Sequence, residues 1–272
     1  MFSHWRIKGL LQIHKAILAG MLALQLTPAI ANAELALLTS HEPPMNFERH
    51  GKVEGVITDY VKLLASHTQH QQEIEIAPWA RVLELGLQRP NTLIFSAERN
   101  PQRERSFYWI GPVMAKHWYF ITREDSDKKY HQLEQYKQLE YIGVLRADNR
   151  ETWLKAQGFT NLYPLNTLEQ AYKMLLAKRI DAVLTGDIEH AYMLAQQPAF
   201  QQLVKVHYVN TAYSYLALSK STPADIAKQW QEAFQHYKES QELIEIQHKW
   251  QQKLTRDLTL HEGMFELSKA KH

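Results

Sequence analysis

Apolar and polar positions along the chain alternate between two spacings. Short apolar runs bounded by polar turns, at residues 35–38, 74–76, 93–95, 141–145, 182–184 and 215–218, predict β-strands. Between them the apolar positions shift to helical spacing. Thr167, Leu168, Glu169 and Gln170 have the form of a capping box, and Leu168, Ala171, Tyr172, Leu175 and Leu176 behind it share one face. Asp148 and Glu151 open a similar start ahead of Trp153 and Leu154. Thr222-Pro223 sets a cap and an N1 proline before a helix carrying Trp230, Ala233, Phe234 and Tyr237, and a further helix carries Leu243, Trp250 and Leu254. Strands alternating with helices predict an α/β fold. With no internal repeat, low-complexity tract or Gly/Ser linker, a second domain would have to be joined to the first by strands.

Residues 1–33 stand apart from this pattern. Arg6, Lys8 and Lys15 precede an apolar run at residues 16–26, and Ala31-Asn32-Ala33 closes the segment with small residues. A positive start, a short apolar stretch and an A-x-A site predict a secretory signal peptide cleaved after Ala33. An uncleaved anchor is the alternative, but the run falls short of the ~20 residues a membrane span needs. The net charge of +2 then belongs to the leader. Setting aside its three basic residues leaves 28 Lys and Arg against 29 Asp and Glu. No basic stripe points to nucleic acid. With no cysteine in the chain, neither a disulfide nor a lipid-bearing N-terminal cysteine is available. An exported protein with no anchor is expected in a Gram-negative periplasm.

Several segments, in order, resemble one family. Thr39-Ser40-His41-Glu42-Pro43-Pro44-Met45-Asn46-Phe47 followed by Gly51-Lys52-Val53-Glu54-Gly55 looks like an extended strand running into a Pro-Pro turn, then a hairpin and a helix at residues 58–65. Pro78-Trp79-Ala80-Arg81, then Phe95-Ser96-Ala97-Glu98-Arg99-Asn100-Pro101-Gln102-Arg103-Glu104-Arg105, then Trp109-Ile110-Gly111-Pro112-Val113 continue the likeness. Gly143-Val144-Leu145, Asp181-Ala182-Val183-Leu184 and Ala217-Leu218-Ser219-Lys220 complete it. The set is similar to the type II extracellular solute-binding proteins, family 3, the polar amino-acid binders of ABC importers. The resemblance implies a two-lobed α/β clamp with two crossing hinge strands, near residues 115–118 and 210–214. One lobe would comprise residues 34–114 and 215–272, the other residues 115–214. It further implies a monomer that captures a small-molecule ligand for a membrane permease, with no cofactor and no catalysis. Ligand touches both lobes only when they close, so it stabilises closure by its differential affinity.

The resemblance also places candidate ligand contacts. Arg103 sits where the family pairs the ligand carboxylate, a task suited to a planar fork that donates two parallel hydrogen bonds. Arg99 is the alternative for the same role. Asp148 and Asn149 stand at the start of a second-lobe helix, whose free N–H groups suit an anion, in place of the family's Ser and Thr. Asp148 there either discourages a carboxylate or simply caps the helix. Asp187 lies one residue beyond the family's ammonium-binding acid and stands between that role and a helix cap. Glu42 replaces an aromatic ring and either faces a cationic ligand or is exposed. Trp79 is either an apolar cleft wall or a core residue at a helix start, and Ser96 offers hydroxyl or backbone bonds.

Other chemistries leave weaker traces. His67 and His70 have a spacing open to a metal, but no H-E-x-x-H or paired carboxylate accompanies them, and no metal site is expected. A periplasmic dehydratase of the cyclohexadienyl type on the same scaffold would need a tuned acid such as Glu42 or Asp187. A clamp serving a membrane sensor is the remaining alternative.

Overall fold

The computed structural model describes residues 34–268, apart from 69, 71, 128, 129 and 255. The signal-peptide reading therefore lies outside the described residues. In chain order the strands β1 (Ala36–Thr39), β2 (Phe47–Arg49) and β3 (Lys52–Glu54) lead into helix α1 (Val56–Thr68). Then come β4 (Ile74–Ile76), α2 (Trp79–Gln88), β5 (Thr92–Glu98) and the long β6 (Phe107–Arg123). The middle of the chain holds β7 (Ile142–Leu145), α3 (Asn149–Ala156), β8 (Leu162–Leu165), α4 (Leu168–Leu176), β9 (Ala182–Gly186) and α5 (Asp187–Gln196). A second long strand, β10 (Leu203–Ser219), returns to α6 (Ala224–Tyr237), α7 (Gln241–Leu254) and the hairpin β11 (Leu258–His261) and β12 (Met264–Leu267).

The main sheet runs β4-β1-β5-β10-β6-β9-β7-β8. Its spine is the antiparallel ribbon of β6 and β10, paired from Leu203 opposite Arg123 to Ser219 opposite Phe107 with register shifts between Lys205 and His207, Tyr208 and Asn210, and Ser214 and Leu216. At one end β10 takes β5 through Ser214–Leu218, with β1 and β4 added in parallel. At the other end β6 takes β9 through Trp118–Ile121, with β7 and β8 parallel to it. Two parallel strand sets, each backed by helices, thus share one sheet through strands that belong to both. This is the two-lobed α/β architecture. The cores follow the same division: one large cluster gathers Leu37, Tyr60, Trp230, Trp250 and Phe265, and two others gather Trp118, Phe120, Tyr136 and Tyr172, Phe200, Leu203. Ile188 at the start of α5 crosses over and packs into the first cluster.

Local sequence explains most of the elements. The side chain of Thr167 accepts from the Gln170 N–H at 3.1 Å and caps α4, as its capping-box form predicts. Asp148 caps α3 by accepting from the Arg150 N–H at 2.8 Å. Helix α6 starts one residue later than its sequence suggests. Pro223 occupies the cap position, and the Thr222 hydroxyl accepts from the Asn91 N–H at 2.9 Å instead. Between β3 and α1, Gly55 adopts φ +145°, and a Cβ there would collide with the Met45 carbonyl.

Candidate functional site

A cavity of about 490 Å³ opens between the two strand sets. The loop after β1 brings Glu42, the start of α2 brings Trp79, β5 brings Ser96 and Glu98, and the turn after β5 brings Arg103. From the other side, the β7–α3 turn contributes Asp148 and Asn149, and Lys116 rises from the middle of β6. Six of the residues singled out from sequence meet here: Glu42, Trp79, Ser96, Arg103, Asp148 and Asn149.

The walls touch across the opening. The Trp79 indole N–H donates to the Ala147 carbonyl at 3.2 Å, a second-side group, and Asn100 Nδ2 donates to Asn149 Oδ1 at 2.6 Å. Arg103, 8% exposed, lies over the Trp79 ring with its guanidinium carbon 5.6 Å from the centroid. Its terminal nitrogens reach the carbonyls of Glu98 and Ala147, both at 3.4 Å. Among the described residues no carboxylate forms an ion pair with it, so its strong donors are occupied only by two long bonds to neutral oxygens. Ser96, which lines the cavity, and Ala147, beside the lining residues Arg146 and Asp148, have φ of 60° and 59°, left-handed backbone that non-glycine residues rarely adopt. The Ser96 hydroxyl donates to the Asn46 side-chain oxygen.

Four of the lining residues, Glu42, Glu98, Lys116 and Asp148, join Arg150 and Glu189 behind them in a buried ionic cluster. Lys116 Nζ donates to Glu42 Oε1 at 2.7 Å and stands 4.0 Å from Glu98 Oε1. Arg150, 1% exposed, grips both oxygens of Asp148 at 2.7 and 3.0 Å, donates to Glu189 Oε1 at 3.0 Å, and lies 3.8 Å from Glu42. Burial pushes the Glu42 carboxyl up to about 7, against the pull of Lys116. Asp148 and Glu189 move the other way: Arg150 holds both below the usual carboxylate range despite their burial. Glycine at 186 leaves room for this arrangement, because a Cβ there would overlap the Glu189 carboxylate.

Two predicted site residues stand elsewhere. Arg99 does not line the cavity; it is bonded to Glu104 at 2.7 and 2.5 Å and flanked by the rings of Trp109 and Tyr215. Asp187 is the first residue of α5, buried and outside the lining. Its Oδ1 accepts from the His117 N–H at 3.2 Å and the Ile188 N–H at 3.0 Å, which ties the helix to the middle of β6. Asp148 is both things the sequence left open, a helix cap and a cavity residue. Away from the cavity, His67 stacks on His236 at 4.9 Å, and no metal-suited group of three or more acidic or histidine side chains occurs among the described residues.

Sequence reasoning missed Lys116, Arg150, Glu98 and Glu189. Lys116 left one signal, a lone cation inside the apolar run of residues 107–121. Arg150 and Glu189 left none, since charged residues in the first turns of helices are ordinary.

A mixed sheet split between two strand sets, with a cavity carrying charged side chains between them, defines a two-lobed periplasmic-binding-protein fold. The chain belongs to the bacterial extracellular solute-binding proteins, family 3, whose profile matches residues 35–253. Solved structures agree on the fold. A histidine kinase sensor domain with similarity to periplasmic binding proteins superposes with a TM-score of 0.72 at 16% identity, covering 79% of this chain and 95% of its own. The P235GK mutant of ArgBP from T. maritima gives 0.69 at 17%, covering 80% and 95%. The ancestral amino acid-binding protein AncCDT-1, a precursor of cyclohexadienyl dehydratase, gives 0.66 at 15%, covering 80% and 95%. At these identities the likeness concerns the fold alone. No curated protein matches the chain in sequence.

Proposed function

We propose that this is an exported periplasmic binding protein that captures a small polar solute bearing a carboxylate, an amino acid or a related compound, for an ABC-type importer. The observation that carries this reading is Arg103. Its guanidinium is buried at the cavity, lies over an aromatic ring, and has two long carbonyl contacts where a carboxylate would make two short charge-assisted bonds. The structural neighbours that bind arginine or glutamine, among them ancestral arginine-binding proteins, lend support at the level of ligand size. Lobes parting near Met114 and Ser214, which face each other across β6 and β10, would expose the cavity for entry. Residues 1–33 would serve as the export signal, so the secreted protein should begin at Glu34, which intact-mass measurement of periplasmic material reads directly.

The test of the anchor is Arg103→Ala. Truncating one partner of a buried charge pair weakens binding by about 2–5 kcal/mol. The ligand itself comes from a thermal-shift screen against several hundred metabolites, where a compound at 100 times its Kd adds about 2.7 kcal/mol of stability. Unaltered calorimetric affinity in Arg103→Ala would refute the anchor.

One observation favours a second reading. A Glu42 carboxyl held at about 7 beside the cavity is placed to give or take a proton near neutral pH. Incubation with prephenate or arogenate, followed for an aromatic product, separates a dehydratase from a binder.

A further inference from the structure

Strands β11 and β12 lie beyond the stretch that matches the family profile, which ends at residue 253. They pair as a hairpin turned through Glu262 and Gly263, whose φ values of 48° and 82° suit a two-residue turn. The hairpin is built into the first core. Leu258 and Phe265 are fully buried there, and the Phe265 ring meets Tyr60 edge-on at 5.9 Å. The side-chain amides of Gln247 and Gln251 on α7 donate to the Leu258 carbonyl at 2.7 and 2.9 Å.

From this anchored position β12 adds in parallel to β6 at Met114 and Ala115. Strand β10 occupies the other edge of β6, so β12 shares its edge with β9, whose pairing begins at Trp118. His117 stands between the two. The hairpin therefore reaches the point where β6 passes from one strand set to the other. The β6–β10 pairing is unshifted there, from Asn210 opposite Trp118 to Ser214 opposite Met114, and a register shift lies at each end of that run. Such irregularities are where paired strands bend.

His117, 7% exposed, collects contacts from three other elements. Its Nε2 donates to Glu266 Oε1 on β12 at 2.8 Å, since a carboxylate only accepts, and its Nδ1 is bonded at 2.8 Å to the hydroxyl of Thr211, directly opposite on β10. Its backbone N–H donates to Asp187 at the head of α5. Lys116 lines the cavity, so the next side chain along the strand points to the opposite face. The Glu266–His117 bond thus lies behind the ribbon, away from the solute.

We propose that the C-terminal hairpin is a latch on the hinge: Glu266, fixed to the first lobe, grips the crossing strands through His117 and favours the arrangement in which the cavity walls meet. The bond is complete with Trp79 against Ala147 and Asn100 against Asn149. Parting those walls turns the second lobe, with Asp187 and the strand it holds, relative to the hairpin. A contact made in one arrangement and strained in the other shifts the population towards the first, whatever the solute. The latch makes no use of Arg103, so either can fail without the other.

The test exploits the absence of cysteine from the chain. Gln88→Cys at the end of α2 and Ala156→Cys at the end of α3 are exposed and belong to opposite walls, so spin labels there report lobe separation. Pulsed double electron–electron resonance is recorded on this labelled parent, free of solute, and on Glu266→Ala, His117→Phe and the double variant in the same background. We expect a substantial short-distance population in the parent. E266A should raise the ratio of open to closed about 3- to 10-fold, the worth of a hydrogen bond to a charged group discounted for a carboxylate that is 40% exposed. Because Glu266 acts through the ring, adding E266A to H117F should shift the ratio no further. An unchanged distribution in E266A, a shift to shorter distances, a parent already open throughout, or a further shift in the double variant would each overturn the proposal. Circular-dichroism melting checks that the variants fold. Should E266A fail, Thr211→Val, which removes the bond to the other ring nitrogen, must show the same opening, and an unmoved distribution there overturns the latch.

Discussion

Replacing Lys116 by methionine tests the ionic cluster most directly. Lys116 is almost wholly buried, and methionine matches its length without the charge. The substitution leaves Glu42 with no hydrogen-bonded cation and Glu98 with a weaker field. Removing one partner of a buried pair costs about 3–5 kcal/mol. Arg150 remains 3.8 Å from Glu42, so the lower end applies, about 3 kcal/mol at pH 8. For a domain of this size each kcal/mol moves Tm by ~2–4 °C, which gives a drop of roughly 6–12 °C. The loss must also depend on pH. A carboxyl whose folded pKa is raised holds its proton more tightly folded than unfolded, so stability falls as pH climbs from 4.5 towards the raised value, here about 7. Without Lys116 the Glu42 value rises further, and the fall extends to higher pH. The deficit of K116M should therefore widen between pH 5 and pH 8. Urea unfolding of both proteins at these two pH values is the assay. A deficit below about 1 kcal/mol at both, or one larger at pH 5, would refute the reasoning.

Three further outcomes follow from particular contacts. Gly186→Ala should lower stability by about 1–3 kcal/mol in denaturant titration, because the new methyl displaces the Glu189 carboxylate from Arg150 although φ at this glycine is ordinary. Asp59→Ala should cost about 1–3 kcal/mol by the same measure, since Asp59 Oδ2 accepts from the buried Trp250 indole at 2.8 Å and links α1 to α7. His190 is bonded to the Tyr172 hydroxyl at 2.6 Å, and burial pushes its pKa down to about 3. The unfolded chain then takes up a proton that the fold refuses, so stability falls as pH drops from 6.5 towards 3. His190→Asn should unfold with a shallower acid limb in circular-dichroism titration; an unchanged limb would clear His190 of that role.

Much of the fold was legible in the chain because it rests on local rules. Period-two and period-3.6 apolar patterns, the Thr167 and Asp148 caps and the order of family-like segments are contained in short windows, and they sufficed for the α/β class and the two-lobed architecture. They also sufficed to nominate Arg103, Trp79, Ser96, Glu42, Asp148 and Asn149, which the structure brings to one cavity. Local windows could not reveal that β6 and β10 each run 17 residues and serve both strand sets, since a strand's length is fixed by its partners. Nor could they separate Arg99 from Arg103. The two lie four residues apart in one polar stretch, and only the turn after β5 sends one to Glu104 and the other into the cleft.

The charges were decided by tertiary structure alone. Lys116 and Glu42 are 74 positions apart, and Arg150 and Glu189 are 39 apart, so no spacing rule connects them. Whether a carboxylate is a solvated surface group or a buried one seeking a cation depends on what the rest of the chain removes from water around it. Sequence names the residue type; desolvation and the distance to the nearest opposite charge set what it does, and both are properties of the folded whole.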